Sequence, residues 1–144
     1  MADTTHRGYS AASTTVLSTE LNSLASGAAS AASGALDNGT LLDLFADLTF
    51  NIATQGAART AGAFVSIYII RATDGSTYDG ILAAGNEPRA TFTFDAATTT
   101  WQFSRDDVPL PPGLYKWYAV NNTGQALAAS GNTLKQRNHS IKTL

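Results

Sequence analysis

A chain of 144 residues without a single cysteine must fold without disulfides or thiolate-bound metal, and it is long enough to bury a core as one domain. Its net charge of -2 and charged fraction of 14%, against about 25% in an ordinary soluble domain, come with no basic run that could hold nucleic acid. No apolar stretch approaches the roughly 18 residues of a membrane span, and MADTTHRGYS lacks the basic-then-apolar pattern of an export signal, so cytoplasmic synthesis is expected.

The chain divides by composition. Residues 1–40 are mostly Ala, Ser, Thr, Gly and Asn, too polar and small to repay their own ordering by burial. They read as an arm and tether ahead of a β-sandwich domain at residues 41–144. Residues 1–15 lack apolar periodicity and are expected to be flexible. Leu17, Leu21 and Leu24 fall at i, i+4 and i+7, which predicts a short helical piece anchoring the arm to the body. Residues 25–34 read as a low-complexity tether bounded by Gly27 and Gly34. Such an arm is expected to move in the free protein and to order on a partner.

From Leu41 the pattern becomes that of strands. LLDLFADLTFNIA alternates strictly: Leu42, Leu44, Ala46, Leu48, Phe50 and Ile52 share a predicted core face, and Asp43, Asp47, Thr49 and Asn51 face water. Phe45 stands among the polar positions as a candidate contact. AFVSIYIIR is apolar on both sides, with Val65, Ile67 and Ile69 against Phe64, Tyr68 and Ile70. It is either central in a sandwich or covered by a partner. Asp74-Gly75 in the following segment signals a hairpin. ATFTFD and TTTWQFS alternate cleanly, and Asp106-Asp107 followed by PLPPG breaks the chain. GLYKWYAV places Leu114, Tyr118 and Val120 on one face and Tyr115, Trp117 and Ala119 on the other. Short strands are expected at Ala126–Ala129 and Thr133–Asn138. About eight strands at roughly ten-residue spacing predict an all-β protein, an antiparallel β-sandwich or jelly roll with an extended N-terminal arm.

The residues of chemistry are few. His6 and His139, the only histidines, lie near the chain ends with no metal-ligand neighbour at useful spacing, and both read as solvated. Three carboxylate pairs invite an acid–base reading: Asp43 with Asp47, Asp74 with Asp79, and Asp106 with Asp107. The first lies on the predicted wet face and the last points oppositely if extended. The second flanks a turn and could hold calcium with backbone carbonyls. No nucleophile elbow or phosphate loop occurs. The expectation is no enzyme, no cofactor, no metal and no catalytic residue. The aromatics Tyr68, Trp101, Tyr115, Trp117 and Tyr118 either fill the core or offer a platform for a protein or a sugar ring.

The leader VLSTELNSLASGA, the pair LLDLFADLTFNI and GAFVSIYIIRATDG, the segment LPPGLYKWYAVNNTG and the closing NTLKQRNHS together resemble the capsid decoration, or cement, proteins of tailed bacteriophages. The likeness spans about Val16 to Ser140, and its motifs are structural. It implies a jelly-roll body on the outer face of an icosahedral shell, clamping neighbouring major capsid subunits without cofactor or catalysis. On that reading the protein is a virion component and a homo-oligomer, a trimer or alternatively a dimer. Its candidate interface residues are Leu17, Leu21, Leu24, Phe45, Phe64, Tyr68, Tyr115 and Trp117. The alternative is a tail, receptor-binding or carbohydrate-binding β-sandwich presenting Tyr115 and Trp117.

Overall fold

The computed structural model describes residues 5–143, which form nine strands and a single 3₁₀ turn. In chain order these are β1 (Thr5–Tyr9), β2 (Thr14–Leu17), the turn η1 (Thr19–Leu21), β3 (Leu36–Asp37), β4 (Phe45–Ile52), β5 (Phe64–Arg71), β6 (Ala90–Thr93), β7 (Trp101–Pro109), β8 (Leu114–Asn122) and β9 (Thr133–Thr143). Every pairing is antiparallel. One sheet runs β1-β9-β4-β7, with β2 also on β9, and the other runs β3-β8-β5-β6. The pairs β1/β2 with β9, β3 with β8, β4 with β7 and β5 with β6 are those of one long hairpin rolled onto itself. This is a jelly roll whose first strand is split in two. No helix among the described residues is long and apolar enough to cross a membrane.

Alternation makes the core. Along β4, Ala46, Leu48, Phe50 and Ile52 are fully buried and their neighbours only partly so. They meet Val65 and Ile67 of β5 and Trp117 and Ala119 of β8 across the sandwich, and Leu134 of the neighbouring β9 within their own sheet. Phe50 stacks on Phe92 at 5.4 Å, and Phe94 meets Phe103 edge-on at 5.2 Å. One polar side chain enters this core. Gln136 Oε1 accepts from Trp117 Nε1, and its amide nitrogen donates to the Tyr115 hydroxyl and to Asn138 Oδ1, each at 3.0 Å. Burial raises the Tyr115 hydroxyl pKa above its ordinary value, against the opposing hydrogen bonds of Gln136 and Asn138.

From Thr5 onward the N-terminal segment is not a free arm. β1 and β2 lie end to end along β9, so residue 40 is no boundary between arm and body. The predicted helix over Leu17–Leu24 is also absent. Leu17 ends β2, η1 holds only three residues, and Ser23 turns the chain at φ +53°. Thr14, Thr15 and Val16 are β-branched and find a strand to pair with, which outweighs the spacing of three leucines. All three leucines nonetheless point into the core, as anchors of this chain.

Residues 27–36 close the edge of β8. Gly27, Ser30 and Ser33 donate their N–H groups to the carbonyls of Asn121, Ala119 and Trp117 at 2.6–2.8 Å, and Leu36 then pairs with Tyr115. The register is three residues of the leader for every two of β8. Two strand residues rise about 6.7 Å, whereas three extended ones reach about 10 Å, so the leader must kink at each step. At the first step the Ala28 carbonyl still accepts the Asn121 N–H at 3.0 Å, and at the next two a serine side chain takes the carbonyl's place. Ser30 Oγ accepts the Ala119 N–H and Ser33 Oγ the Trp117 N–H, both at 3.0 Å. Composition misjudged this segment because edge pairing needs no apolar side chain.

β5 is apolar on both sides because it is central. β8 and β6 flank it, and its outer face carries a second small cluster of Ile70, Tyr118 and Val120 with Tyr68 and Tyr78. The β5–β6 loop, 72–89, folds back over that face, where Leu82 N and Asn86 Nδ2 reach the Tyr118 hydroxyl at 3.4 and 3.2 Å. Ala29 and Ala32 of the leader cover the rest. Most of this outer apolar face is therefore covered from within the chain, with Phe64 left 37% exposed. The predicted tight hairpin at Asp74-Gly75 is instead the first turn of this long loop. The strand expected at Ala126–Ala129 is a loop that buries Leu127, and β9 runs unbroken for eleven residues.

Candidate docking surface

The β3–β4 and β7–β8 loops lie together at one end of the sandwich, and this end carries the exposed apolar side chains of the predicted strand over Leu41–Ala53. β4 begins only at Phe45. Leu41, Leu42 and Leu44 are 61%, 57% and 54% exposed, so Leu42 and Leu44 do not share the core face assigned by alternation. Local hydrogen bonding overrides the pattern. Buried Asn38 accepts the Asp43 N–H through Oδ1 at 2.8 Å, and its Nδ2 donates to the carbonyls of Asp43 and Pro111 at 2.8 and 3.0 Å. The Leu42 N–H closes onto the Asn38 carbonyl, and Leu42 sits at φ +49°. That left-handed conformation costs a leucine about 1–2 kcal/mol, and the Asn38 bonds hold it in place.

Asp43 braces the loop from below. It is 4% exposed rather than wet, and its two carboxylate oxygens accept from Ser10 Oγ at 2.6 Å and Ser140 Oγ at 3.2 Å. Beside it a charged cluster locks the neighbouring strand ends. Arg7 of β1 bridges Asp47 of β4 at 3.1 Å and Asp107 of β7 at 2.8 Å. Asp107 reaches the cluster through a bulge, where it stands at φ +55° and its N–H donates to Asp47 Oδ1 at 3.1 Å. His139 of β9 is 1% exposed, with Nε2 2.8 Å from Asp107 Oδ1 and Phe45 and Tyr9 packed on its ring. Its Nδ1 has no hydrogen-bond partner and lies 3.6 Å from Asp47 Oδ1. The reading of His139 as solvated is thus overturned. Asp47, Asp107 and His139 bring ligand atoms within 4.8 Å of one another, but the Arg7 guanidinium already supplies the cation between the carboxylates.

Asp47 also has a pKa held below its ordinary value. Burial pushes it up, and the Tyr9 hydroxyl, the Asp107 amide, His139 and Arg7 together outweigh that. A carboxylate depressed in the folded state adds stability that is complete above its unfolded value of about 3.9 and is lost as pH falls through its folded value. Asp74 adds to the same acid limb, because the N–H groups of Thr77 and Ser76 hold it at about 2. Asp47→Asn is expected to flatten the fall of the melting temperature between pH 4 and pH 2 without abolishing it. Melts at half-unit pH steps check this, and an unchanged slope would remove Asp47 from the acid response.

The other predicted residues separate clearly. Leu17, Leu21, Leu24, Tyr115 and Trp117 are buried inside this chain, so Tyr115 and Trp117 form no sugar platform. Tyr68 stacks on Tyr118 under the β5–β6 loop, Phe45 is half-buried on His139, and Phe64 is partly exposed. His6 has its side chain outside the described residues. The leucine end and the His139 cluster escaped sequence reading because their parts come from positions 7, 38, 47, 107 and 139. No family model matches the sequence, and no curated protein is significantly similar to it.

Proposed function

We propose that this protein is structural: it binds the outer surface of an icosahedral phage capsid and stabilises contacts between major capsid subunits. The observation that carries the proposal is the braced leucine end. Three large apolar side chains are held out in water by a loop that Asn38 and Asp43 make rigid. An exposed apolar patch on a rigid support marks a surface made for another macromolecule. The sequence resemblance supplies which macromolecule, and the jelly-roll strand order agrees with it, although such folds serve many functions.

The carboxylates suit a structural role better than acid–base work. Asp43 is bound by two serines, Asp47 and Asp107 are paired with Arg7, and Asp74 accepts two backbone N–H groups. Co-sedimentation of the purified protein with expanded, undecorated capsids tests the proposal. Saturable binding at a fixed number of copies per shell is expected, and capsids so decorated should withstand heating better than bare ones. Absence of saturable binding would overturn it.

A further inference from the structure

From the same surface, and resting on that reading, we infer that Leu42 is the insertion tip of a reciprocal aliphatic contact. It enters an uncharged recess on the partner protein, while the partner returns one aliphatic side chain into a depression beside Leu42. That depression has a volume of about 190 Å³ and lies between Leu42 and Leu44 of one loop and Leu110 and Pro112 of the other, with Asn38 and Asp43 at its floor.

The chemistry of the occupant follows from what the depression lacks. Both floor residues are polar, but their groups are spent. Asn38 Nδ2 donates twice and its Oδ1 accepts the Asp43 N–H, while both Asp43 oxygens accept from serines. Asn38 and Asp43 are both buried and already hydrogen-bonded, and the other four lining side chains are aliphatic, so the fitting group is aliphatic. A lipid surface is a poor match. The segments LDNGTLLDL and PLPPGL contain no Lys or Arg, and anionic headgroups attract basic ones. A second copy is also a poor match. Three half-exposed leucines offer a few hundred Å², against about 800 Å² per partner in a stable complex. The contact is one anchor in a larger interface or a repeated one, which suits a lattice of protein subunits.

The backbone of Leu42 makes a clean variant available. Asn tolerates a positive φ far better than leucine, so Leu42→Asn removes the apolar tip while easing the backbone. Its melting temperature should equal or exceed the parent's, while affinity for expanded capsids falls about tenfold or more; Leu42→Met should bind within a factor of three. Parental affinity in Leu42→Asn would overturn the inference. So would Leu42-dependent binding to vesicles of phosphatidylcholine and phosphatidylglycerol, or Leu42-dependent self-association in sedimentation. A second measurement needs no capsid: titration of the free protein with isobutanol, followed by methyl NMR. Shifts confined to Leu42, Leu44 and Leu110 are expected, and their absence would overturn the depression as an aliphatic site. Failure of the parent protein to bind capsids would instead count against the capsid reading, with the isobutanol result deciding the recess.

Discussion

Trp117→Ala is expected to destabilise the protein by about 3–5 kcal/mol, enough to leave most of a marginal domain unfolded at 37 °C. The indole is fully buried between the sheets and packs edge-on against Tyr115 at 6.0 Å. Its removal leaves a cavity and takes away the Nε1–H that Gln136 Oε1 accepts. Trp117→Phe separates the two effects. It keeps most of the apolar volume and should cost about 1–3 kcal/mol, chiefly for the polar group left without its partner. Urea unfolding of the three proteins measures this. A Trp117→Ala protein as stable as its parent would mean that the core relaxes around the cavity, contrary to the packing described here. Because the ring has no exposed surface, any glycan binding lost in this variant should be lost together with the fold.

The double substitution Ser30→Ala/Ser33→Ala is expected to cost about 2–5 kcal/mol, a large effect for removing two oxygen atoms. Each Oγ is the acceptor for a buried β8 N–H, of Ala119 and Trp117 respectively, and a buried donor left unpaired costs about 1–3 kcal/mol. At Asn121 the leader offers the Ala28 carbonyl, but at these two positions it offers only the serine hydroxyls. Ser26→Ala is the control. Its Oγ also accepts a backbone N–H, from Gly124, but at an exposed position where water can take its place, so less than about 1 kcal/mol is expected. Hydrogen exchange at Trp117 and Ala119 should accelerate in the double variant before exchange elsewhere in β8. Equal stability of the double variant and Ser26→Ala would show that the leader does not depend on its serines to seal the sheet.

Trp117 anchors β8 in the core through its side chain, while Ser33 seals the same residue's backbone from outside. The leader then continues through β3 into Asn38, which builds the leucine loop. The leucine end is therefore supported through a continuous path of backbone pairing from the leader, not by packing of its own leucines.

The fold class and the core face of β4 were legible in the pattern of residues alone. Period-two alternation in FADLTFNI placed Ala46, Leu48, Phe50 and Ile52 on the core face, because a strand with one buried face can satisfy its side chains in only one register; in β5 and β8 it sorted the two faces without choosing the inner one. The prolines of PLPPG and the absence of strand–helix alternation likewise left little but an antiparallel sandwich. The features that local sequence could not reveal have a common cause. Backbone hydrogen bonds are blind to composition, so a leader of Ser, Ala and Gly could find the free edge of β8 although nothing in its side chains announced it. Side-chain capture of a loop is equally silent in sequence: Asn38 turns Leu41–Leu44 out of an otherwise regular alternation. His139 lay beyond sequence reading for the same reason, since its burial depends on Asp47, Asp107, Phe45 and Tyr9, which meet only when four strands are laid side by side.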